Sequence, residues 1–233
     1  MAALAAGGAR RRAALAPAHP ALIAALWVVL VALAINAPWW ARNAHTYGGL
    51  DIAALGRHDA VVIDQPRTAD WIAAHGLDDL LRRFVQFTFN SFWGQFGWMA
   101  VPMPDWIYAG LLAFTGAVLV GLWLALWRNR RNAEAIKPSQ RDGVALLALA
   151  LLFVVAQYLY YNLTFVQHQG RYLFPALSAI ACAVALGLDG WIRPVGARFR
   201  LPQRVRWIPP ALVWAAFAAL DVYALLRVAA PAL

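Results

Sequence analysis

The stretch VALLALALLFVVAQYLYYNL, residues 144–163, decides the fold class of this chain. It is twenty residues long and contains no charged side chain, which matches the length that an α-helix needs to cross the hydrocarbon core of a bilayer. Four further blocks have the same character: Ala21–Ala37, Trp106–Trp127, Tyr172–Leu188 and Ile208–Leu226. The sequence therefore predicts an all-α membrane protein with about five transmembrane helices in a single membrane domain, residues 1–233.

The composition of the chain excludes an ordinary soluble domain. Hydrophobic residues make up 63% of the 233 residues and charged residues only 13%, about half the charged fraction of soluble domains. The net charge of +9 comes from arginines in short connections, where such residues set membrane topology. Nucleic acid is therefore not expected as a partner. The one cysteine, Cys182, excludes an intrachain disulfide.

The distribution of charge between the blocks predicts the orientation of the chain. Arginine and lysine are concentrated in the alternate connections 1–20, 128–143 and 189–207, whereas segment 41–105 carries five arginines against seven aspartates. Basic loops stay in the cytoplasm. We expect an integral protein of the bacterial cytoplasmic membrane, with its N-terminus inside and its C-terminus outside. The first block is interpreted as an uncleaved span, with a signal peptide as the alternative.

The long outer loop 41–105 contains an amphipathic pattern. Hydrophobic residues recur at helical spacing from Leu77 to Phe87, and this pattern predicts a helix on the outer membrane face. The acidic residues Asp78 and Asp79 are spaced to pair with Arg82 and Arg83, respectively. A small globular cap packed on the bundle is the alternative.

Arg171 is the first candidate for binding an anionic ligand. It opens the fourth block beside Tyr172 and Gln169, at the depth where the phosphate of a lipid carrier would lie, and arginine binds phosphate through two parallel N–H donors. Arg42 follows the first block on the same predicted face and is a second candidate, and Gln169 and Tyr172 are further candidates for binding the phosphate or its lipid carrier. The alternative for Arg171 is an interfacial anchor that extends its charge towards water.

Three aromatic residues, Trp93, Phe96 and Trp98, alternate with glycines in the outer loop. They are candidates for stacking on a sugar ring or an acyl chain, or for simple anchoring at the interface. Asp221 and Gln157 are polar residues inside predicted spans, where ionisable groups are costly and are functional by default. Gln157 is a candidate partner of Asp221.

The sequence contains only weak signals for a catalytic pair or a metal site. His58 and Asp59 are adjacent, and neighbouring residues are not expected to face each other on a helix. The histidines lack the spacing of metal ligands, so no metal site and no cofactor are predicted.

Two motifs carry a resemblance to a known family. They are SFWGQFGW (91–98) followed by VPMP (101–104), and QGRYLFP (169–175); WWARN (39–43) and GRHDAVV (56–62) agree with them. Over roughly residues 20–190 the chain resembles a bacterial family of multi-spanning proteins. That family is similar to the GT-C glycosyltransferases, which include the dolichyl-phosphate-mannose protein mannosyltransferases.

The resemblance implies transfer of a sugar from a polyprenyl-phosphate donor on the outer membrane face. It also implies a catalytic aspartate just after the first span, but here no acid occurs before Asp51. The chain therefore looks like the C-terminal portion of such an enzyme, with the catalytic residue unknown. Its expected partners are membrane lipids, the lipid-linked donor, and the missing N-terminal half or another membrane subunit. The alternative is a non-catalytic membrane scaffold or lipid-binding subunit.

Overall fold

The computed structural model describes residues 19–62, 64–131, 137–200 and 202–232. Arg10, Arg11 and Arg12, and the middle of the 128–143 connection, lie outside the described residues. Five described helices are long and apolar enough to cross a membrane: Ile23–Tyr47, Asp105–Asn129, Pro138–Thr164, Gly170–Arg198 and Ile208–Ala232. The predicted all-α membrane fold with five spans is therefore confirmed.

The described chain forms two compact units, Met1–Asp64 and Gln65–Leu233. In the first, helix α1 (His19–Tyr47) is followed by the short helix α2 (Leu55–Val61). α1 continues through Pro38 and ends ten residues beyond the predicted Ala37, because a proline inside a membrane helix removes one hydrogen bond without ending the helix. The WWARN motif is therefore helical and does not begin a loop.

The second unit contains the other elements of the chain. They are α3 (Thr68–His75), α4 (Leu77–Trp93), β1 (Gln95–Phe96), β2 (Val101–Pro102), α5 (Asp105–Arg131), α6 (Pro138–Thr164), α7 (Leu177–Arg198) and α8 (Ile208–Tyr223). A 3-10 turn, Gly170–Ala176, leads into α7, and another, Gln203–Trp207, leads into α8. α8 continues as a π-helical turn, Ala224–Ala229, and a final 3-10 turn, Ala230–Ala232.

Helices α5 and α7 cross at glycines. A Cβ atom at Gly190 would collide with the carbonyl oxygen of Gly121, so the two backbones touch directly, as small residues allow in membrane helices. The indole of Trp191 donates a hydrogen bond to the carbonyl of Ala117 (2.8 Å), and Arg128 donates to the carbonyl of Gly190 (2.9 Å). These bonds fix the register of the helix pair.

The predicted amphipathic helix is present as α4, but its charges pair differently. Arg82 forms an ion pair with Asp79 (2.9 Å), three residues away. The guanidinium of Arg83 lies over the rings of Trp71 (4.8 Å) and Phe87 (4.3 Å). The predicted Asp79–Arg83 pair was wrong because Asp79 is occupied by Arg82 and by the Trp71 indole (3.1 Å), and because two ring faces attract a guanidinium.

A short hairpin follows α4 and is held over the core by a tyrosine. Gly94 ends α4 with φ 152°, a conformation that side-chain-bearing residues rarely adopt. The hydroxyl of Tyr108 donates to the carbonyl of Gly94 (2.7 Å) and accepts from the backbone N–H of Met103 (3.0 Å). Met103, Tyr108 and Ala224 belong to one buried cluster with Ile107 and Leu111, so α4, α5 and the end of α8 share a core.

Candidate functional site

The two motifs that sequence analysis singled out in the second unit lie side by side. The backbone N–H of Gly170 donates to the hydroxyl of Ser91 on α4 (2.7 Å). A Cβ atom at Gly170 would collide with the carbonyl oxygen of Thr88 and with Phe92. Phe174 then places its ring edge against Phe92, with the ring centroids 5.8 Å apart. The segment that carries Arg171 is thus pressed directly against α4.

The loop before Gly170 is held by buried polar groups. The side chain of Asn162 accepts a hydrogen bond from the backbone N–H of Gln167 (3.1 Å). The Thr68 hydroxyl donates to the carbonyl of Asn162 (2.8 Å), and the N–H of Val166 donates to the carbonyl of Pro66 (2.9 Å). Because buried groups with satisfied hydrogen bonds rigidify their surroundings, the loop presents Arg171 from a fixed backbone.

Arg171 lies exposed between two aromatic rings. Its guanidinium carbon is 5.4 Å from the centroid of Trp98 and 5.8 Å from that of Tyr172. In the described part of the chain it forms no ion pair with a carboxylate. No described carboxylate therefore competes with an anionic ligand for its N–H donors.

The three aromatic candidates for stacking do not form one surface. Trp93 stacks on Phe217, with centroids 5.5 Å apart, and meets the edge of Phe114 (6.1 Å). Phe96 also packs against the core. Trp98, by contrast, is 88% exposed. Trp93 and Phe96 hold the hairpin in place, and Trp98 alone is free to contact a ligand.

The remaining polar candidates belong to the two different units of the chain. Gln169 donates to the side chain of Gln167 (2.6 Å), which is itself buried, so this pair stabilises the loop. In the first unit, Arg42 donates to Asn43 (3.3 Å) and lies over Trp39 (5.1 Å). Asn43 is fully buried and fastens the end of α1 to the carbonyl of Ile52 (2.9 Å).

The expectation that His58 and Asp59 do not face each other was wrong. The Nδ1 atom of His58 lies 3.1 Å from a carboxylate oxygen of Asp59. Both side chains are short and branch close to the backbone, so neighbouring positions on the seven-residue helix α2 can reach each other. Each side chain is more than 40% exposed, and such a pair contributes little to stability.

His168 is a residue of the site that sequence analysis considered only as a metal ligand. Its side chain is buried, with 5% exposed, and meets the edge of the Phe84 ring at 5.2 Å. Burial, together with the positive charge of Arg83, lowers the pKa of His168 to about 4. Its Nδ1 atom has no hydrogen-bond partner among the described residues. No periodicity or spacing marks this histidine in the sequence.

The intramembrane polar residues are not paired with each other. Asp221 on α8 and Gln157 on α6 are both exposed, and within the described ranges no side-chain hydrogen bond joins them. Over those same ranges, no group of three His, Cys, Asp or Glu side chains is arranged to hold a metal ion.

Comparison with known proteins gives a family match for this chain. The family model described as Predicted membrane protein (DUF2142) matches residues 1–179, which include α4, the hairpin and Arg171. Neither the search of curated proteins nor the search of solved structures found a match.

Proposed function

We propose that this chain, which belongs to the family described as Predicted membrane protein (DUF2142), is the carrier-binding membrane part of a GT-C-like glycosyltransferase. In this proposal it binds a polyprenyl-phosphate-linked sugar at the outer membrane face. The observation that carries the proposal is the position of Arg171 between Trp98 and Tyr172, without a carboxylate partner among the described residues.

The chemistry of the ligand follows from these neighbours. A guanidinium with uncommitted donors prefers a phosphate, which it can bind through two hydrogen bonds. The exposed Trp98 beside it offers an apolar face to the first isoprene units of the carrier. Arg171 stands at the start of the span Gly170–Arg198, where a phosphate would remain hydrated while its hydrocarbon chain enters the bilayer.

The proposal assigns carrier binding to this chain and assigns no catalytic base. Asp79 is the carboxylate most firmly held on α4. The hydrogen bond from Trp71 and the neighbouring Arg82 hold the pKa of Asp79 below its usual value, so it is a poor proton acceptor. The second candidate function is a lipid-binding or scaffold subunit without transferase activity, which shares the binding step.

The test is binding of farnesyl phosphate, a short polyprenyl phosphate, to the full chain in lipid nanodiscs. Arg171→Ala is expected to weaken binding by about 1.5–3 kcal/mol, the range for a hydrogen bond to a charged group. Arg171→Lys is expected to lose less, because lysine keeps the charge but not the planar fork. Farnesol, which has no phosphate, should bind equally to all variants.

Arg82→Ala is the matched control, because Arg82 is an exposed arginine of the same unit and is already paired with Asp79. It should leave farnesyl phosphate binding unchanged. If Arg171→Ala binds the phosphate as tightly as the unmodified chain while inserting normally, Arg171 is an interfacial anchor and the proposal is wrong. Transfer of sugar from a polyprenyl-phosphate sugar by the purified chain separates the enzyme from the lipid-binding subunit.

A further inference from the structure

Helix α8 carries an acidic side chain on a face that is exposed in the described part of the second unit. Asp221 lies about 20 Å along the span Ile208–Ala232, at a rise of 1.5 Å per residue. Its side chain is exposed and makes no hydrogen bond or ion pair in the part of the chain that the structure describes. A charged group at this depth in lipid is costly unless a second group compensates it.

The residues around Asp221 form a regular stripe along α8. Phe217, Leu220 and Ala224 belong to the face that packs on the core of the second unit. Most of the rest of the helix is exposed, and the row at helical spacing that contains the acid is Trp214, Ala218, Asp221 and Leu225. We call this row the α8 stripe. It has the apolar surface of a membrane-helix interface, a small residue that permits close approach, and one acidic group.

We infer that the α8 stripe binds a transmembrane helix of another protein that carries an arginine or lysine level with Asp221. Charge complementarity favours a partner with a basic side chain at this depth. Acidic and basic side chains within membranes pair with each other, and Asp221 has no basic partner among the described residues. This inference is independent of lipid-phosphate binding at Arg171.

A second copy of the chain is a less suitable partner for the Asp221 carboxylate than a different protein. In a parallel pair of α8 helices, the two Asp221 carboxylates would face each other and repel. The nearest basic residue of the same span is Arg227, six residues further along the chain in the π-helical turn Ala224–Ala229. A helix of a different protein, with its basic residue at the matching depth, avoids both difficulties.

The experiment measures energy transfer between the labelled full chain and a synthetic leucine–alanine transmembrane peptide in liposomes. One peptide carries a single arginine at the depth of Asp221, and the other carries leucine there. We expect the unmodified chain to bind the arginine peptide about tenfold more tightly than the leucine peptide. Asp221→Leu should abolish that preference.

The matched control moves the acid to another side of the same helix. Ala219 is exposed and lies away from the α8 stripe, so Asp221→Leu combined with Ala219→Asp keeps one carboxyl at nearly the same depth. The inference expects this double variant to lack the tenfold preference. The inference is wrong if the double variant retains it, if the unmodified chain does not distinguish the peptides, or if labelled chains self-associate through Asp221 instead.

Discussion

The guanidinium carbon of Arg171 lies 5.4 Å from the centroid of the Trp98 ring, and this contact joins the two sequence motifs at the protein surface. Trp98 has φ 53°, a left-handed conformation that is uncommon for a residue with a side chain. The hairpin that holds it there is fixed by Tyr108 beneath it. An exposed tryptophan in a constrained backbone, beside an arginine without a carboxylate partner in the described ranges, suits a ligand with both apolar and anionic parts.

Replacement of Trp98 tests whether the ring and the guanidinium act together. We expect Trp98→Ala to weaken farnesyl phosphate binding by about 0.5–1 kcal/mol, the range of an exposed cation–π contact, because the ring no longer orients the guanidinium. The double variant with Arg171→Ala should lose less than the sum of the single losses, because the two side chains touch. Trp207→Ala, at a tryptophan that is 72% exposed elsewhere, is the control. Strictly additive losses would show that Trp98 and Arg171 act independently.

Replacement of Gly170 tests the contact between its segment and α4. Gly170→Ala is expected to lower the free energy of unfolding by about 1–3 kcal/mol, since the added methyl group collides with Thr88 and Phe92 and the backbone must shift. It should also weaken phosphate binding by displacing Arg171. Thermal unfolding in detergent measures the first effect. Gly143→Ala, where a Cβ atom meets nothing within 4 Å, should be nearly neutral.

The close crossing of α5 and α7 leads to a separate prediction about the stability of the helix bundle. Gly190→Ala is expected to destabilise the protein by about 1–3 kcal/mol, because its methyl group would occupy the position of the Gly121 carbonyl. Gly116→Ala lies on α5 in open space and should stabilise or leave unfolding unchanged, because alanine favours a helix over glycine. Equal melting temperatures for the two variants would contradict the close crossing.

Much of the fold follows from hydropathy, but the ends of its helices do not. The apolar blocks predict five spans, and the spacing from Leu77 to Phe87 predicts α4. Hydropathy locates the lipid-compatible part of a helix, whereas backbone hydrogen bonding decides where the helix ends. The difference is largest in α1, where the polar and aromatic residues after Ala37 continue the helix to Tyr47.

The motifs that form the site could be predicted from the sequence, but the orientation of individual aromatic rings could not. Trp93 and Trp98 look equivalent in the sequence. One is packed against Phe217 and the other is exposed, because Trp93 ends α4 whereas Trp98 lies in the turn between β1 and β2. The contact of Arg83 with Trp71 and the burial of His168 against Phe84 likewise depend on residues distant in sequence, which helical spacing cannot reveal.

Cysteine labelling tests the predicted orientation in the membrane. In a Cys182→Ala background, Ala100→Cys should react with an impermeant thiol reagent added outside intact cells. Ser139→Cys and Ala197→Cys should react only after the membrane is opened, because basic connections stay inside. All three positions are exposed, whereas Gln167 is buried and would label poorly on either side. Labelling of Ser139→Cys from outside would reverse or refute the five-span topology.

The buried His168 predicts that stability depends on pH in a defined window. Its pKa is about 4 in the folded protein, below the ordinary value of about 6.5, so the folded state binds the proton less readily than the unfolded state. The contribution of the neutral His168 to the free energy of unfolding is therefore fully present above about pH 6.5. It is lost progressively as the pH falls from 6.5 to 4. The loss approaches about 3 kcal/mol below pH 4, at 1.36 kcal/mol per pKa unit.

The measurement is the free energy of unfolding of the full chain in detergent between pH 8 and pH 4. His168→Gln removes the titrating group and should flatten the decline over this window, whatever its effect on stability at pH 8. His75→Gln, at an exposed histidine, is the matched control and should keep the decline of the unmodified chain. The low pKa of Asp79 places the loss of its contribution at more acidic pH, because a carboxylate stabilised in the folded state is lost only on protonation. An unchanged decline in His168→Gln would mean that the imidazole is not kept neutral by its burial against Phe84.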